Sequence, residues 1–371
     1  MTIILFIIIL SLLVFVHELG HFVLAKRNGV KVEEFGFGFP PRLFGIKKGE
    51  TFYSLNLIPL GGFVKLFGED GAGSGNPLEM NSSLESKDST VSFASKTIWQ
   101  RSQIIIAGPL MNWLLAAVLF SALVFMGIPG SVAEAIPSWI LERDIKISEF
   151  SESSPAKVLD FRIDDVVTKI KSGESEFLST DIKSFQKNIA DLKGQEITLF
   201  IQRDNQFLEK KIIPRLNPPI GEGSFGVALT EIIHPVPSYL APVKGLEITV
   251  YLSWAILKSF YGLIADLVTA GKVTEGLTGP VGIATLTTKF YKLGIDYFIF
   301  FVALLSLNLG IMNILPIPAL DGGRFLFLMI EKVKGKPINQ KIEGAIHSVS
   351  FFLLIALIIV ITIKDVRGLV F

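Results

Sequence analysis

The sequence predicts a polytopic α-helical membrane protein with about four transmembrane helices, a membrane-associated β-hairpin and one α+β domain outside the cytoplasm. Hydrophobic residues make up 50% of the 371 residues and charged residues only 19%, whereas soluble domains carry about 25% charged residues. The mean hydropathy is +0.54. The apolar residues are concentrated in a few long blocks, and blocks of about 20 such residues are typical of helices that cross a bilayer.

Four apolar blocks are predicted to span the membrane. The first, 3–25, is a retained helix rather than a signal peptide, because no basic residues precede it and no small-residue cleavage site follows it. The others are predicted at 104–127, 297–315 and 348–363. Segment 240–268 is apolar but contains four charged residues, so it is predicted to be an amphipathic helix lying at the membrane interface.

The β-hairpin is predicted between the first two spans. Glycines and prolines in 36–41 are expected to interrupt the chain there. Beyond them, 51–58 and 63–67 are rich in aromatic and β-branched residues and flank Pro59-Leu60-Gly61-Gly62. Two such runs around a glycine pair are typical of a hairpin.

Three parts follow from this pattern. Residues 1–130 form an N-terminal membrane part, and 234–371 form a C-terminal one. Between them, residues 131–233 regain charge and alternate short apolar stretches with polar turns, which predicts an α+β domain of about 100 residues.

Basic residues predict the orientation. The short connection 331–346 carries four lysines, and segment 26–101 begins and ends with basic residues. The positive-inside rule places both segments in the cytoplasm. An even number of spans then places both termini and the domain 131–233 outside.

The composition excludes several classes of function. Lys and Arg number 35 against 34 Asp and Glu, a formal charge of +1, so no strong field attracts a nucleic acid. The absence of cysteine excludes disulfides, thiolate ligands and cysteine nucleophiles. A metal ion would need histidine and carboxylate ligands. Of the four histidines, His234 and His347 lie at span margins and are expected to be ordinary interfacial residues.

The motif His17-Glu18-Leu19-Gly20-His21 lies within the first span. On a helix this spacing places both imidazoles on one face, where they can bind Zn²⁺, and Glu18 can take a proton from the attacking water. Three ionisable groups inside an apolar helix are unfavourable unless paired, hydrated or bound to metal. The motif therefore predicts a functional metal site.

Asp321 is the predicted third ligand, because a catalytic zinc site uses three protein ligands. Arg27 stands where one zinc-protease pattern has a third histidine, and the glutamates after the motif fall outside the apolar span. Asp321 directly follows the third span, and the prolines and glycines around it allow the backbone to unwind there. The alternative is that Asp321 merely ends the helix at the interface.

Taken together, these motifs resemble the site-2 protease family of intramembrane zinc metalloproteases and, within it, the branch of bacterial regulator of sigma-E proteases. The resemblance covers nearly the whole chain. It is carried by HELGH (17–21), GFGF (36–39), LIPLGGFVKLFGE (57–69), AGPLMN (107–112), LTGPVGIA (277–284) and SLNLGIMNILPIPALDGG (306–323).

The resemblance implies a zinc ion held by His17, His21 and Asp321, with Glu18 as general base. It also implies substrate contacts by Asn313 and by the hairpin residues Gly61, Gly62 and Phe63. Asn112, in the second span, is expected either to contact substrate or to bond to a neighbouring helix.

The domain at 131–233 resembles a PDZ domain, notably in SPAKVLDFRIDDVVTKI (154–170). The enterobacterial relatives carry two PDZ domains in tandem, and this chain has room for one. The resemblance implies a multi-pass protein of the bacterial inner membrane, with the active site toward the cytoplasm and the PDZ-like domain in the periplasm. Implied substrates are single-span membrane proteins, such as anti-sigma factors, or remnant signal peptides, and the PDZ-like domain would bind a peptide C-terminus.

Two other functions fit some of these features. A non-catalytic membrane scaffold would use only the PDZ-like domain, and the intact Glu18 and Asp321 argue against it. A metal or ion transporter also places His, Asp and Asn in the membrane, but no second element like HELGH suggests inverted repeats.

Overall fold

The computed structural model describes residues 2–69, 89–129, 132, 135–152, 154–179, 181–204, 206–219, 221–234, 236–270, 278–336 and 338–370. The chain divides into two compact units. We call Met1–Phe120 with Thr249–Phe371 the helical unit, and Ser121–Ile248 the α+β unit.

Nine helices are described in chain order. They are α1 (Thr2–Arg27), α2 (Ile98–Met126), α3 (Pro155–Val158), α4 (Ile182–Asp191), α5 (Ala241–Ala270), α6 (Pro280–Leu293), α7 (Ile295–Ile314), α8 (Asp321–Lys334) and α9 (Gln340–Val370). Short 3₁₀ turns lie at Ser89–Val91, Phe93–Ser95 and Ser238–Leu240.

Among the described residues, five helices are long and apolar enough to cross a membrane: α1, α2, α5, α7 and α9. The expected count of four is therefore not confirmed by length and composition. The additional candidate is α5, which covers the segment expected at the interface. Two of its four charges form an ion pair, since Lys244 Nζ lies 2.9 Å from Glu247 Oε2, and a paired charge is less unfavourable in an apolar setting than a free one.

Two long strands, β1 (Val32–Lys48) and β2 (Thr51–Leu66), pair with several register shifts, antiparallel except between 34–37 and 52–55, which run in the same direction. Residues Phe35, Gly36 and Phe37 of β1 pair with Tyr53, Ser54 and Leu55 on one side and with Val64, Phe63 and Gly62 on the other. The lateral order of segments is therefore 42–48, 51–56, 32–37 and 62–66. The segments 42–48 and 62–66 are the outer ones and pair with no further strand among the described residues. Segment 62–66 therefore forms one edge of this sheet.

The predicted hairpin was wrong in its pairing. The chain does reverse direction between 58 and 62, because Leu55 and Gly62 both pair with Phe37 and the two runs proceed from there in opposite directions, but 32–37 separates the runs that were expected to pair directly. A further turn lies at Gly49-Glu50, with Gly49 at φ +64°. The glycines at 36 and 38 do not interrupt the strand. A Cβ on Gly36 would lie 2.6 Å from Phe63 Cζ, so the glycine makes room for an aromatic ring on the neighbouring strand.

The α+β unit contains a six-stranded antiparallel sheet. Its strands are β3 (Arg143–Phe150), β4 (Val166–Ser172), β5 (Ser175–Leu178), β6 (Ile197–Arg203), β7 (Gln206–Ile212) and β8 (Val227–Ile233). The order is β7-β6-β4-β3-β8, with β5 also paired to β4. Phe185 and Ile189 of α4 pack on the apolar face of the sheet.

The helical unit holds the ends of three helices together. A buried cluster joins Ala25 of α1, Ile104 and Ile105 of α2 and Leu328 of α8. Arg101 and Glu331 reinforce it with two hydrogen bonds of 2.6 and 3.2 Å. The end of α1, the start of α2 and α8 therefore lie at one end of this unit.

Candidate metal centre

The two histidines of the HELGH motif lie one turn apart on α1. Their ring centroids are 4.8 Å apart, with the rings tilted by 79°. Gly20 allows α2 to approach this face closely, because a Cβ on Gly20 would lie 2.7 Å from the carbonyl carbon of Ala107. The motif on α1 therefore lies in close contact with α2.

Asp321 reaches the same place from 300 positions further along the chain. Helix α7 ends where Leu315 adopts an extended conformation, and Pro316 and Pro318 cannot donate helical hydrogen bonds. Asp321 then begins α8. Gly323 permits the tight turn, since a Cβ there would lie 2.7 Å from Pro318 Cα.

One atom from each of His17, His21 and Asp321 converges on a common point. The two Nε2 atoms are 3.2 Å apart, and Asp321 Oδ2 lies 2.9 Å from His17 Nε2 and 3.4 Å from His21 Nε2. In a tetrahedral site with zinc bonds of about 2.0–2.1 Å, neighbouring ligand atoms are about 3.3 Å apart. Oδ2 is buried and has no hydrogen-bond partner among the described residues, so the donor set fits one zinc ion.

The contacts of the other ring nitrogens favour this assignment. His21 Nδ1 lies 2.8 Å from the Ile104 carbonyl oxygen, which only accepts, so Nδ1 donates and Nε2 keeps its lone pair in the neutral ring. His17 Nδ1 lies 3.4 Å from the amide of Asn112. The atom facing the ring is Asn112 Nδ2, while Asn112 Oδ1 is buried and has no hydrogen-bond partner among the described residues. A 180° turn of this amide would let Oδ1 accept from His17 Nδ1–H and would leave His17 Nε2 as a ligand atom.

The carboxylate of Asp321 is suited to binding a cation. The ionised form is the one that ligates metal.

A cavity of about 230 Å³ opens beside these atoms. Glu18 lines it together with the three converging residues. The other lining residues belong to the β2 edge and the residue just after this strand, to the 3₁₀ turn at Phe93–Ser95, to the first half of α2 and to α8. They are Phe63, Val64, Leu66, Glu69, Phe93, Ile104, Ile105 and Arg324.

Only some of the predicted substrate-binding residues lie at this cavity. Phe63 lines it, and a Cβ on Gly62 would lie 3.7 Å from Glu18 Cγ. Gly61, at φ +130°, packs against Val14 of α1. Asn313 lies in the last turn of α7 and is not part of the lining, and Asn112 is fully buried.

Four residues near the centre were not predicted. Arg324 Nη1 and Glu69 Oε1 form an ion pair of 2.6 Å at the cavity. Gly108 of α2 lies directly against both imidazoles. His347, expected to be an ordinary interfacial residue, accepts a hydrogen bond from the backbone just before Asp321. Two signals for these residues were available in the sequence. They are the helical spacing of Asp321 and Arg324, and the glycine in AGPLMN.

The chain is similar to known metalloproteases over nearly its whole length. The sequence profile of Peptidase family M50 matches residues 5–357. A putative zinc metalloprotease of Clostridium perfringens is 34% identical, with 96% of each chain covered. The regulator of sigma-W protease RasP of Bacillus subtilis is 32% identical and the zinc metalloprotease RasP of Oceanobacillus iheyensis 30% identical, each with 99% of both chains covered. The chain therefore belongs to peptidase family M50, the site-2 protease family, and is a multi-pass membrane zinc metalloprotease.

Proposed function

We propose that this protease hydrolyses peptide bonds within or near the transmembrane segments of single-span membrane proteins. The observation that carries the proposal is the convergence of Asp321 with His17 and His21 beside Glu18. The last three residues lie on a helix of 26 residues that is apolar enough to cross a membrane. Ionisable groups at such a depth are unfavourable unless paired or metal-bound, so their clustering indicates an intramembrane active site.

In this proposal His17, His21 and Asp321 hold the zinc ion, and Glu18 is the general base. When bound, zinc supplies Lewis-acid polarisation of the scissile carbonyl and a lowered pKa for the attacking water. The Glu18 carboxylate lies in the same cavity, so it can accept the proton from that water and pass it to the leaving amide nitrogen.

The 62–66 edge of the sheet is the proposed docking site for the substrate backbone. A transmembrane helix satisfies its amides internally, so it must unwind before hydrolysis. An unwound segment can add as a strand to an open edge, where backbone hydrogen bonds hold it extended. Phe63, Val64 and Leu66 of this edge line the cavity, and Gly61 and Gly62 keep the adjoining backbone close to α1.

The two asparagines have different proposed roles. Asn112 exposes none of its surface, so we assign it to orienting His17 rather than to touching substrate. Asn313 is half-buried at the end of α7, next to the segment that leads to Asp321. It keeps its proposed role as a substrate contact, since it retains accessible surface.

The proposed orientation places the metal centre toward the cytoplasm. Helix α1 ends in Lys26 and Arg27, and the ion pair between Arg101 and Glu331 places the start of α2 and the end of α8 at the same level. The lysines of 331–346 follow directly. These basic residues favour the cytoplasmic side for this end of the helical unit.

The number of spans is proposed to be four, with α5 not spanning the bilayer. Helix α7 runs antiparallel to α2, because the Phe300 ring lies 6.0 Å from the Phe120 ring and Ser306 Oγ donates to the Asn112 carbonyl. Helix α7 therefore begins at the membrane face where α2 ends. The chain between them must cross an even number of times, and α6, with 14 residues or about 21 Å, is too short for a hydrocarbon core of about 30 Å.

Single-cysteine labelling tests this topology, since the chain has no cysteine of its own. The reagent is a membrane-impermeant maleimide, applied to cells in which it can reach the extracytoplasmic face of the cytoplasmic membrane. It should label Thr269→Cys, at the end of α5, as readily as Lys211→Cys in the α+β unit. Ser95→Cys should be labelled only after the membrane is opened. Labelling of Thr269→Cys only after opening would show that α5 crosses.

The α+β unit is proposed to contain an extracytoplasmic PDZ-like domain at 131–233 that binds a peptide C-terminus. Its edge strand β8 and helix α4 lie beside each other, as a strand-adding peptide requires. One relative is named a regulator of sigma-W protease, which favours anti-sigma factors as substrates. Remnant signal peptides are single membrane-spanning segments as well and remain within the proposed class.

The test combines metal analysis with cleavage of a single-span reporter by the purified full-length protein. The wild type should contain one zinc per chain and cleave the reporter, and a chelator should remove both properties. His17→Ala and Asp321→Ala should lose zinc and activity together. Zinc retained in Asp321→Ala would contradict the ligand set. Zinc-dependent ion flux without cleavage would favour the transporter, and peptide binding without either would favour the scaffold.

A further inference from the structure

The short segment 315–320 positions Asp321, and it has few hydrogen bonds of its own. Pro316 and Pro318 have no N–H to donate. Ile317 and Leu320 donate to backbone carbonyls within the segment. Ala319, two residues before Asp321, has φ +77°, a left-handed conformation that a residue with a Cβ adopts only when its surroundings hold it there.

His347 of α9 contacts this segment. The Ala319 N–H donates to His347 Nδ1 at 2.8 Å. The same imidazole packs against Phe327 of α8, with ring centroids 5.3 Å apart. One side chain therefore contacts the segment before Asp321 and the helix that begins with it. Neither contact serves the proposed proton transfers, and His347 does not line the cavity.

We infer that His347 is a positioning residue that holds Asp321 in place for zinc by accepting the Ala319 N–H. The inference rests on the proposed role of Asp321 as a ligand. Without the acceptor, Ala319 can leave the left-handed conformation, and the carboxylate at the start of α8 then has no fixed position relative to His17 and His21. Groups that orient metal ligands typically change metal affinity or activity by about 10–100-fold when they are removed.

His347→Phe is the informative variant, because it preserves an aromatic contact with Phe327 and removes only the acceptor. In purified full-length protein, zinc affinity measured by competition with a chromophoric chelator should fall about tenfold. At saturating zinc, kcat on the single-span reporter should fall while KM stays unchanged, since the substrate edge is untouched. His347→Asn, whose amide oxygen can accept the same N–H, should restore zinc affinity to within about threefold of wild type. His234→Ala, in the α+β unit, is the matched control and should bind zinc like wild type.

A backbone variant separates positioning from packing. Glycine adopts positive φ without strain, so Ala319→Gly in the His347→Phe background should recover at least about half of the lost affinity on a logarithmic scale. A merely structural role of the imidazole in α9 packing would not respond to residue 319. Unchanged zinc affinity in His347→Phe, or no recovery with Ala319→Gly, overturns the inference.

Asp321→Ala distinguishes this inference from the proposed function. If Asp321→Ala keeps its zinc, the ligand set is wrong and the proposed site fails. If Asp321→Ala loses zinc while His347→Phe keeps it, only the role of His347 is refuted. Should His347→Phe fail to accumulate as folded protein, His347→Asn and Ala319→Gly are measured singly, and reduced zinc affinity in either one refutes the inference.

Discussion

Gly108 of α2 lies against the imidazole of His21 on α1, with no space between them for a side chain. A Cβ built on Gly108 would overlap His21 Nε2 and lie 2.7 Å from His17 Nε2. These nitrogens are two of the three proposed ligand atoms. The close approach of two helices therefore determines the space available to the proposed metal ion.

Gly108→Ala should abolish zinc binding and proteolysis while leaving the helices intact. The added methyl group must push an imidazole away from Asp321, because the backbone of α2 cannot retreat past its other contacts with α1. Zinc content and thermal unfolding of the purified variant measure the two effects. Gly262→Ala in α5, where a Cβ meets nothing within 4 Å, is the control and should retain zinc. A Gly108→Ala protein with full zinc content would refute the proposed positions of the ligand atoms.

Glu18→Gln should leave zinc bound and remove cleavage. The amide has nearly the same shape as the carboxylate but cannot accept the proton, and loss of a general base typically lowers kcat by about 10²–10⁴-fold. Glu18 lines the cavity without being one of the three converging ligands. Loss of zinc together with activity would instead identify Glu18 as a ligand.

The proximity of Asp321 to the HELGH motif could be anticipated because it follows from local chemistry. Buried ionisable groups in an apolar environment need partners, and the prolines before Asp321 allow the backbone to unwind where an acidic residue follows an apolar span. The spacing of His17 and His21 is a property of the helix itself. Neither argument requires knowledge of distant contacts.

The sheet could not be anticipated to the same degree, because its pairing depends on residues far apart in sequence. Gly36 was interpreted as an interruption, yet it accommodates the ring of Phe63 across the sheet. The roles of Gly108 and His347 likewise depend on contacts with α1 and with Ala319 that no local pattern reveals. Length and composition also left open whether α5 crosses the membrane, since two of its four charged residues, Lys244 and Glu247, form an ion pair that is visible only in the folded helix.

Glu231→Ala should destabilise the α+β unit by about 3 kcal/mol, the usual effect of leaving a buried partner unpaired. Glu231 Oε2 lies 2.6 Å from Arg143 Nη1, with side-chain exposures of 5% and 2%, and its other oxygen accepts from Ile182 N at the start of α4. Limited proteolysis of the full-length protein over a denaturant series measures the change. Glu176→Ala, which removes an exposed ion pair with Lys169, should change stability far less, because solvent screens an exposed pair. Equal losses of stability in the two variants would show that the buried ion pair stabilises the unit no more than the exposed one.

The ion pair of Glu69 and Arg324 should couple the sheet to the helix that begins with Asp321. Glu69 follows the cavity-lining edge of β2 and also accepts weakly from Leu66 N at 3.4 Å, while Arg324 lies one turn after Asp321 on α8. Glu69→Arg and Arg324→Glu should each lower kcat/KM on the reporter, because like charges then face each other across the cavity. The double variant restores opposite charges and should recover about 1 kcal/mol of the loss, or roughly fivefold in kcat/KM. The same exchange at the exposed pair of Glu196 and Lys211 should change nothing, and strictly additive losses at 69 and 324 would show that the two elements act independently.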